Sequence, residues 1–150
     1  MLKLDFSCEI KRPVEEVFAY LTDPAKVPEW NPAVLQCREE PSGPVQVGSM
    51  LHMVSRILGR RFESTLEVTE FTPNKKFVYK SNSPFPVEAT YLAEPTAGGT
   101  RVTVESVAEP AGFFKLAEPV LGRIAKKQIQ TNHNTIKELL EAREPAKVGN

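Results

Sequence analysis

The polar residues most out of place in this chain are Gln128, Asn132 and His133, which interrupt an apolar helical pattern running from Phe113 to Ala142. At 3.6 residues per turn, Leu121, Ala125, Ile129, Ile136, Leu139 and Leu140 share one side of that helix. Lys126, Lys127, Lys137, Glu138 and Glu141 fall mostly on the other. Asn132 falls near the centre of the apolar stripe, with Gln128 and His133 on its flanks. A buried amide without a partner costs about 1–3 kcal/mol, so Asn132 needs a strand carbonyl, a tyrosine hydroxyl, a ligand or a trapped water. His133 is of the one side-chain type that titrates near neutrality, which suits an acid or base. At the edge of the stripe it is expected to be partly exposed. Tyr79 and Tyr91 share strand parity with Phe77 and Ala89, as core aromatics do. In a cavity, a phenol also binds or protonates a carbonyl oxygen. His133, Tyr79 and Tyr91 are therefore the candidate catalytic residues.

Other chemistry finds less support. Arg56 shares parity with His52 and Leu58, opposite Leu51, Met53 and Ile57; it anchors a carboxylate only if that set faces inward, and solvent is the expected side. Glu63, Glu67 and Glu105 alternate with Phe62, Leu66, Val68, Val102 and Val104, which places the acids on an outer face rather than in a catalytic pair. Nucleotide-binding glycine motifs, HExxH, GxSxG and paired CxxC are absent from the sequence. With His52 and His133 as the two histidines, no metal centre or other cofactor is expected. Cys8 and Cys37 read as reduced structural thiols. Nineteen Lys and Arg balance nineteen Asp and Glu, so no basic stripe exists to neutralise a nucleic acid. The first residues alternate charged and apolar types, unlike a signal peptide or membrane span, which makes a cytoplasmic protein the expectation.

The elements that must position these residues follow from periodicity. From Leu2 to Lys11 apolar and polar residues alternate, as in a half-buried strand. Pro13, followed by Glu15 and Glu16, starts a helix, because proline needs no donor there and acids suit the positive helix end. Val14, Val17, Phe18 and Leu21 are its buried side. Asp23 caps a second short helix that stops near Trp30-Asn31-Pro32. Six strands follow, over 34–40, 49–58, 61–71, 76–82, 87–94 and 100–109, separated by turn signals that include Gly59-Arg60 and Ala97-Gly98-Gly99. Pro119 either kinks the closing helix or starts it anew. A 150-residue chain of this kind is expected to form a single domain over residues 1–144, with a frayed tail over 145–150.

The fold class is α+β: a strongly curved antiparallel sheet of about seven strands wrapped around a long C-terminal helix, with two short helices after the first strand. A curved sheet and a straight helix do not meet along their whole length, so large side chains or a pocket must occupy the gap. The ordered set Pro13-Val14-Glu15-Glu16-Val17-Phe18 with Leu21 and Asp23, Trp30-Asn31-Pro32, Val47-Gly48-Ser49, Val68 to Pro73, Gly99-Thr100-Arg101-Val102 and Ile136 to Glu141 resembles the START-like, or SRPBCC, superfamily. That superfamily includes polyketide cyclase/dehydrase-like proteins, plant pathogenesis-related proteins and lipid-transfer domains. The resemblance implies a helix-grip fold over nearly the whole chain and puts Trp30 at one mouth of a cavity. Frame and activity are separable in such proteins.

Three functions are consistent with the residues. The first is binding, or transport, of a small hydrophobic molecule, lipid-like or aromatic and polyketide-like. Asn132, Gln128, Tyr79 and Tyr91 would orient it, Phe62, Leu66, Val104, Leu121 and Ile129 would form the wall, and Trp30 would gate the cavity with Phe113, Phe114 and Leu116. The second is a cyclase/dehydrase-type enzyme using His133 or a tyrosine as proton carrier. The third is a protein-interaction module, which predicts a filled core and an exposed apolar patch. Monomer and homodimer both remain open.

Overall fold

Strict alternation makes the first strand, β1 (Leu2–Ile10), whose even-numbered side chains turn inward while Lys3, Asp5, Ser7 and Glu9 stay in solvent. The computed structural model describes residues 1–40, 43–83 and 85–143; the tail expected at 145–150 lies outside the described residues. After β1 come α1 (Val14–Leu21), a single 3₁₀ turn (Pro24–Lys26) and α2 (Val27–Trp30). Val17, Phe18, Tyr20 and Leu21 bury one side of α1. Asp23 accepts a hydrogen bond from the Ala25 amide and so caps the 3₁₀ turn.

Six further strands form the meander: β2 (Val34–Glu39), β3 (Met50–Ile57), β4 (Arg60–Thr72), β5 (Lys76–Ser81), β6 (Val87–Thr96) and β7 (Gly99–Ala108). All pairings are antiparallel in one seven-stranded sheet of order β1-β7-β6-β5-β4-β3-β2. The register shifts between Val34 and Gln36 and again between Val68 and Glu70. Such bulges bend a strand and increase its twist, which supplies curvature on the side where β2 to β4 must reach round the helix.

Two turns differ from the reading of the sequence or depend on glycine. The β3–β4 hairpin turns at Leu58-Gly59 rather than Gly59-Arg60, with φ of +50° and +77°. Both signs are those of the mirror-image turns that match strand twist, and a leucine is an uncommon occupant of such a position. At the β6–β7 turn, a Cβ on Gly99 would fall on the carbonyl oxygen of Ile10 and within 2.9 Å of Lys11 Cα. Here the chain leaving β1, at Ile10 to Arg12, packs against the start of its neighbour β7.

The chain closes with α3 (Phe113–Leu116) and α4 (Glu118–Ala142). Proline lies in the first turn of α4, so Pro119 starts the helix anew instead of kinking it. Leu121, Asn132, His133, Ile136 and Leu140 are buried against the sheet. Leu139, assigned to the inner stripe, is instead 39% exposed; it lies one residue past the line through Ile136 and Leu140 and points outward. No helix among the described residues is long and apolar enough to cross a membrane.

Two apolar clusters hold α4 to the sheet. The larger joins α1, Trp30 and strands β5 to β7 to Ile136 and Leu140 near the C-terminal end of the helix. The smaller joins Phe85, Phe114 and Leu121, with Leu2, Ile57, Leu58 and Phe62 against them, at the N-terminal end. Gly99→Ala should lower the unfolding free energy by about 1–3 kcal/mol, because backbone atoms on both sides must shift. Gly59→Asn, at an open turn position whose φ asparagine tolerates, should cost under about 1 kcal/mol. Urea denaturation of the two variants checks both.

Candidate functional site

Between the two clusters the helix stands away from the sheet and leaves a cavity of about 390 Å³. Its walls come from the sheet and from α4: Leu66 and Val68 of β4, Tyr79 of β5, Tyr91 of β6, Val104 of β7, and Leu121, Gln128, Ile129, Asn132 and His133 of the helix. A larger concavity of about 740 Å³ lies elsewhere, against Arg38, His52, Glu63, Glu67 and Lys80. Its walls are mostly polar, so the smaller, apolar cavity is the better candidate.

The aromatic residues of the cavity form a connected group. Phe77 and Tyr91, paired across β5 and β6, stack with centroids 4.7 Å apart and planes 3° from parallel. Tyr79 lies 6.3 Å from Tyr91, and the His133 ring lies 5.7 Å from Tyr91 on its other side. Burial pushes the Tyr79 phenol up to about 12, with the neighbouring Cys37 adding to the shift. Tyr91 is raised well above its ordinary value by burial first and by Tyr79 second. Both phenols therefore stay protonated at neutral pH and present O–H groups as donors.

His133 is only 2% exposed, not the partly exposed flank residue that its place in the stripe suggested. The reason is tertiary packing: Phe6 of β1 and Tyr91 of β6 each lie 5.7 Å from the imidazole and the Trp30 indole of α2 lies 6.1 Å from it, covering the flank that the bare helix would leave to water. Nδ1 of His133 lies 2.7 Å from the Ile129 carbonyl. A carbonyl only accepts, so Nδ1 carries the proton and Nε2 keeps its lone pair in the neutral ring. Nε2 and the Trp30 indole nitrogen have no hydrogen-bond partner among the described residues. Burial lowers the His133 pKa, against a smaller opposing effect of the Ile129 hydrogen bond. The ring is neutral at pH 7.

Asn132, 4% exposed, has two hydrogen-bonding orientations. In one, its Oδ1 accepts from Gln128 Nε2 at 2.7 Å. In the other, its nitrogen donates to the main-chain carbonyls of Trp30 and Gln128, each 3.2 Å away. The second orientation satisfies carbonyls that the first leaves facing oxygen, and it requires the Gln128 amide to turn its oxygen toward the Asn132 nitrogen 2.7 Å away, so the partner required by the sequence is the end of α2 rather than a strand or a tyrosine. Asn132 still borders the cavity, as does Gln128.

Of the residues singled out as ligand-binding, Asn132, Gln128, Tyr79, Tyr91, Trp30, Leu66, Val104, Leu121 and Ile129 line this cavity, and Phe62 does not. Phe62 shares the inward face of β4 with Leu66, but Phe114 covers it with centroids 5.2 Å apart and removes it to the smaller cluster. Trp30 and the 113–116 segment do not form one gate. Trp30 sits beside His133, and at 1.5 Å per residue α4 carries that point roughly 20 Å from α3. Phe114 is buried while Phe113 and Leu116 are exposed. Met53, Leu58 and Phe85 also line the cavity. Parity pointed to Met53, whereas Leu58 and Phe85 reach the wall from a turn and a loop, where periodicity carries no information.

Arg56 is exposed and borders the mouth. Both cysteines are free, and burial pushes the Cys37 thiol up to about 11, which makes it a poor nucleophile. Among the described residues no three His, Cys, Asp or Glu side chains gather at metal-binding spacing.

Comparison with known proteins matches this geometry to a family. Residues 1–141 fit the family model described as polyketide cyclase/dehydrase and lipid transport. Among curated proteins no sequence matches. Among solved structures, protein NE0264 from Nitrosomonas europaea is 24% identical with a TM-score of 0.71, covering 93% of this chain and 94% of that one. Ara h 8.0201 is 14% identical with a TM-score of 0.72, covering 94% and 98%. The di-domain aromatase/cyclase StfQ of the steffimycin biosynthetic pathway is 20% identical with a TM-score of 0.70, covering 91% of this chain and 50% of that one. At these identities the structures share the helix-grip fold, and it is the match over residues 1–141 that carries the assignment: the chain belongs to the polyketide cyclase/dehydrase and lipid transport family of the START-like superfamily.

Proposed function

We propose that the protein binds a small hydrophobic molecule, lipid-like or aromatic and polyketide-like, in the cavity between the sheet and α4. One observation carries the reading: a space of about 390 Å³ with an apolar wall and a few convergent polar groups. Its size lies at the small end of the roughly 300–1,000 Å³ typical of small-molecule sites. Apolar contact with Leu66, Val68, Val104, Leu121 and Ile129 supplies affinity in proportion to the area removed from water. The hydroxyls of Tyr79 and Tyr91 supply direction, as donors to a carbonyl or ether oxygen. An interaction module, by contrast, has reason to fill this space.

A second reading, a cyclase or dehydrase acting on a bound polyketone, is favoured by the tautomer of His133. The Ile129 carbonyl fixes the proton on Nδ1 and leaves the basic lone pair on the unpaired Nε2, which a substrate reaches only when the side chains covering it shift; the tyrosine O–H groups are acids. Ring closure would need only a folded substrate and a proton carried between them. Turnover that survives His133→Phe, Tyr79→Phe and Tyr91→Phe removes these assignments.

Ala125 lines the cavity from the middle of α4. Ala125→Phe should weaken binding of a neutral polycyclic fluorophore such as 1-aminoanthracene by about tenfold or more, since its ring occupies the ligand's space. A thermal melt at or above the parent value would show that the frame is kept. Unchanged affinity would move the ligand elsewhere and sink the reading. Native mass spectrometry on protein from its own host identifies the molecule carried.

The burial of His133 also sets a pH dependence. Its folded-state pKa lies below the unfolded value of about 6.5, so below that pH the unfolded chain takes up a proton that the folded ring resists. Stability is complete above about pH 6.5 and falls as pH drops below it toward the lower folded value. His133→Phe should flatten this part of the profile, as measured by urea denaturation at a series of pH values.

A further inference from the structure

At the N-terminal end of α4 the apolar pattern continues on the outside. Phe113, Leu116, Val120 and Ile124 are 45, 87, 49 and 44% exposed. The last three are spaced by four residues, and Ile124 also borders the cavity mouth. Across that mouth stands the β3–β4 hairpin, whose Ile57 and Leu58 line the cavity. The two sides touch: the Arg60 guanidinium lies 4.4 Å over the Phe113 ring. Exposed apolar residues are ordinary when scattered, but four on one side of a cavity mouth form a patch that marks an interaction surface.

Charge identifies the partner. Arg56, Arg60, Arg123 and Lys127 are exposed around this patch and form no ion pair among the described residues. Glu118, the acid within the helical part of the patch, is already engaged by the Met1 ammonium at 3.3 Å and by Lys115 at 3.7 Å. In a chain of zero net charge, this end is locally cationic. A second copy docked face to face about a two-fold axis would bring the same cations against one another.

We infer that the rim formed by the β3–β4 hairpin, α3 and the first turns of α4 is a docking surface for an anionic lipid bilayer, with Leu116, Phe113, Val120 and Ile124 entering the interface and the arginines and Lys127 meeting the headgroups. The cavity mouth then faces the hydrocarbon boundary instead of water. An apolar cargo crosses between them without full hydration. Basic residues are drawn to an anionic leaflet, and apolar side chains add the area they bury. The surface stands independently of whether the cavity takes a ligand, because the protein alone carries it.

Sedimentation with vesicles tests it. The protein should pellet with vesicles of phosphatidylcholine mixed with phosphatidylglycerol and stay in solution with phosphatidylcholine alone. High salt should release it. Arg123→Glu with Lys127→Glu should lower the vesicle partition coefficient by about tenfold or more, and Leu116→Asp should lower it to a similar degree. Leu116 is nearly fully exposed, so an unchanged thermal melt and unchanged 1-aminoanthracene binding are expected in that variant, which separates the surface from the cavity. Protein that ignores both vesicle types, or binds both equally, overturns the inference. So does a concentration-dependent dimer in sedimentation velocity that Leu116→Asp dissolves, since the patch would then belong to a second copy.

Discussion

A straight helix cannot follow a curved sheet, and most of what is distinctive here follows from that mismatch. The sheet bends because β2 and β4 carry bulges and because seven twisted strands accumulate their twist. The helix stays straight because its single proline is confined to the first turn, where a missing amide does no harm. Contact is therefore made at two places, the cluster around Ile136 and Leu140 and the cluster around Phe114 and Leu121. The cavity is the region between, and its polar residues are those that the helix presents there.

The polar residues are positioned by α2 as much as by the helix that carries them. Asn132 reaches the Trp30 carbonyl, and the Trp30 indole covers His133. A buried amide that bridges two elements contributes a modest net stabilisation, while its loss leaves a buried carbonyl without a donor, so its effect is mainly to fix where α2 sits. That placement keeps the imidazole out of water and neutral. The chain of dependence runs from the Asp23-capped turn through α2 to the protonation state of a residue more than a hundred positions later.

Much of the frame was legible in the sequence because it rests on periodicity. Alternation located β1, and turn residues separated the strands to within a few positions. The 3.6-residue pattern gave α4 with Asn132 in its buried stripe. Legibility ended where tertiary packing overrides local pattern. His133 lies at the flank of an isolated helix and becomes buried because Phe6, Tyr91 and Trp30 close on it from distant elements. Phe62 has the parity of a wall residue and is covered by Phe114, whose position depends on a short helix after a glycine with φ of +57°. Leu58 reaches the cavity from a turn, and no pattern of alternation marks a turn residue as part of a wall.

Energetics argue that the cavity is more than tolerated slack. At ~24 cal/mol per Å³, a sealed void of about 390 Å³ would cost on the order of 9 kcal/mol, comparable to the entire stability of a typical domain. A chain under selection for stability alone has simple remedies within reach: Ala89 and Ala125 on opposite walls leave room for larger apolar residues, and Asn132 sits where leucine would pack. An open mouth with water or an apolar guest inside relieves much of the penalty, and a guest relieves it best because it restores the dispersion contacts that a void forfeits. Occupancy and stability are thereby coupled in this frame: any guest that fills the space between sheet and helix would also complete the core.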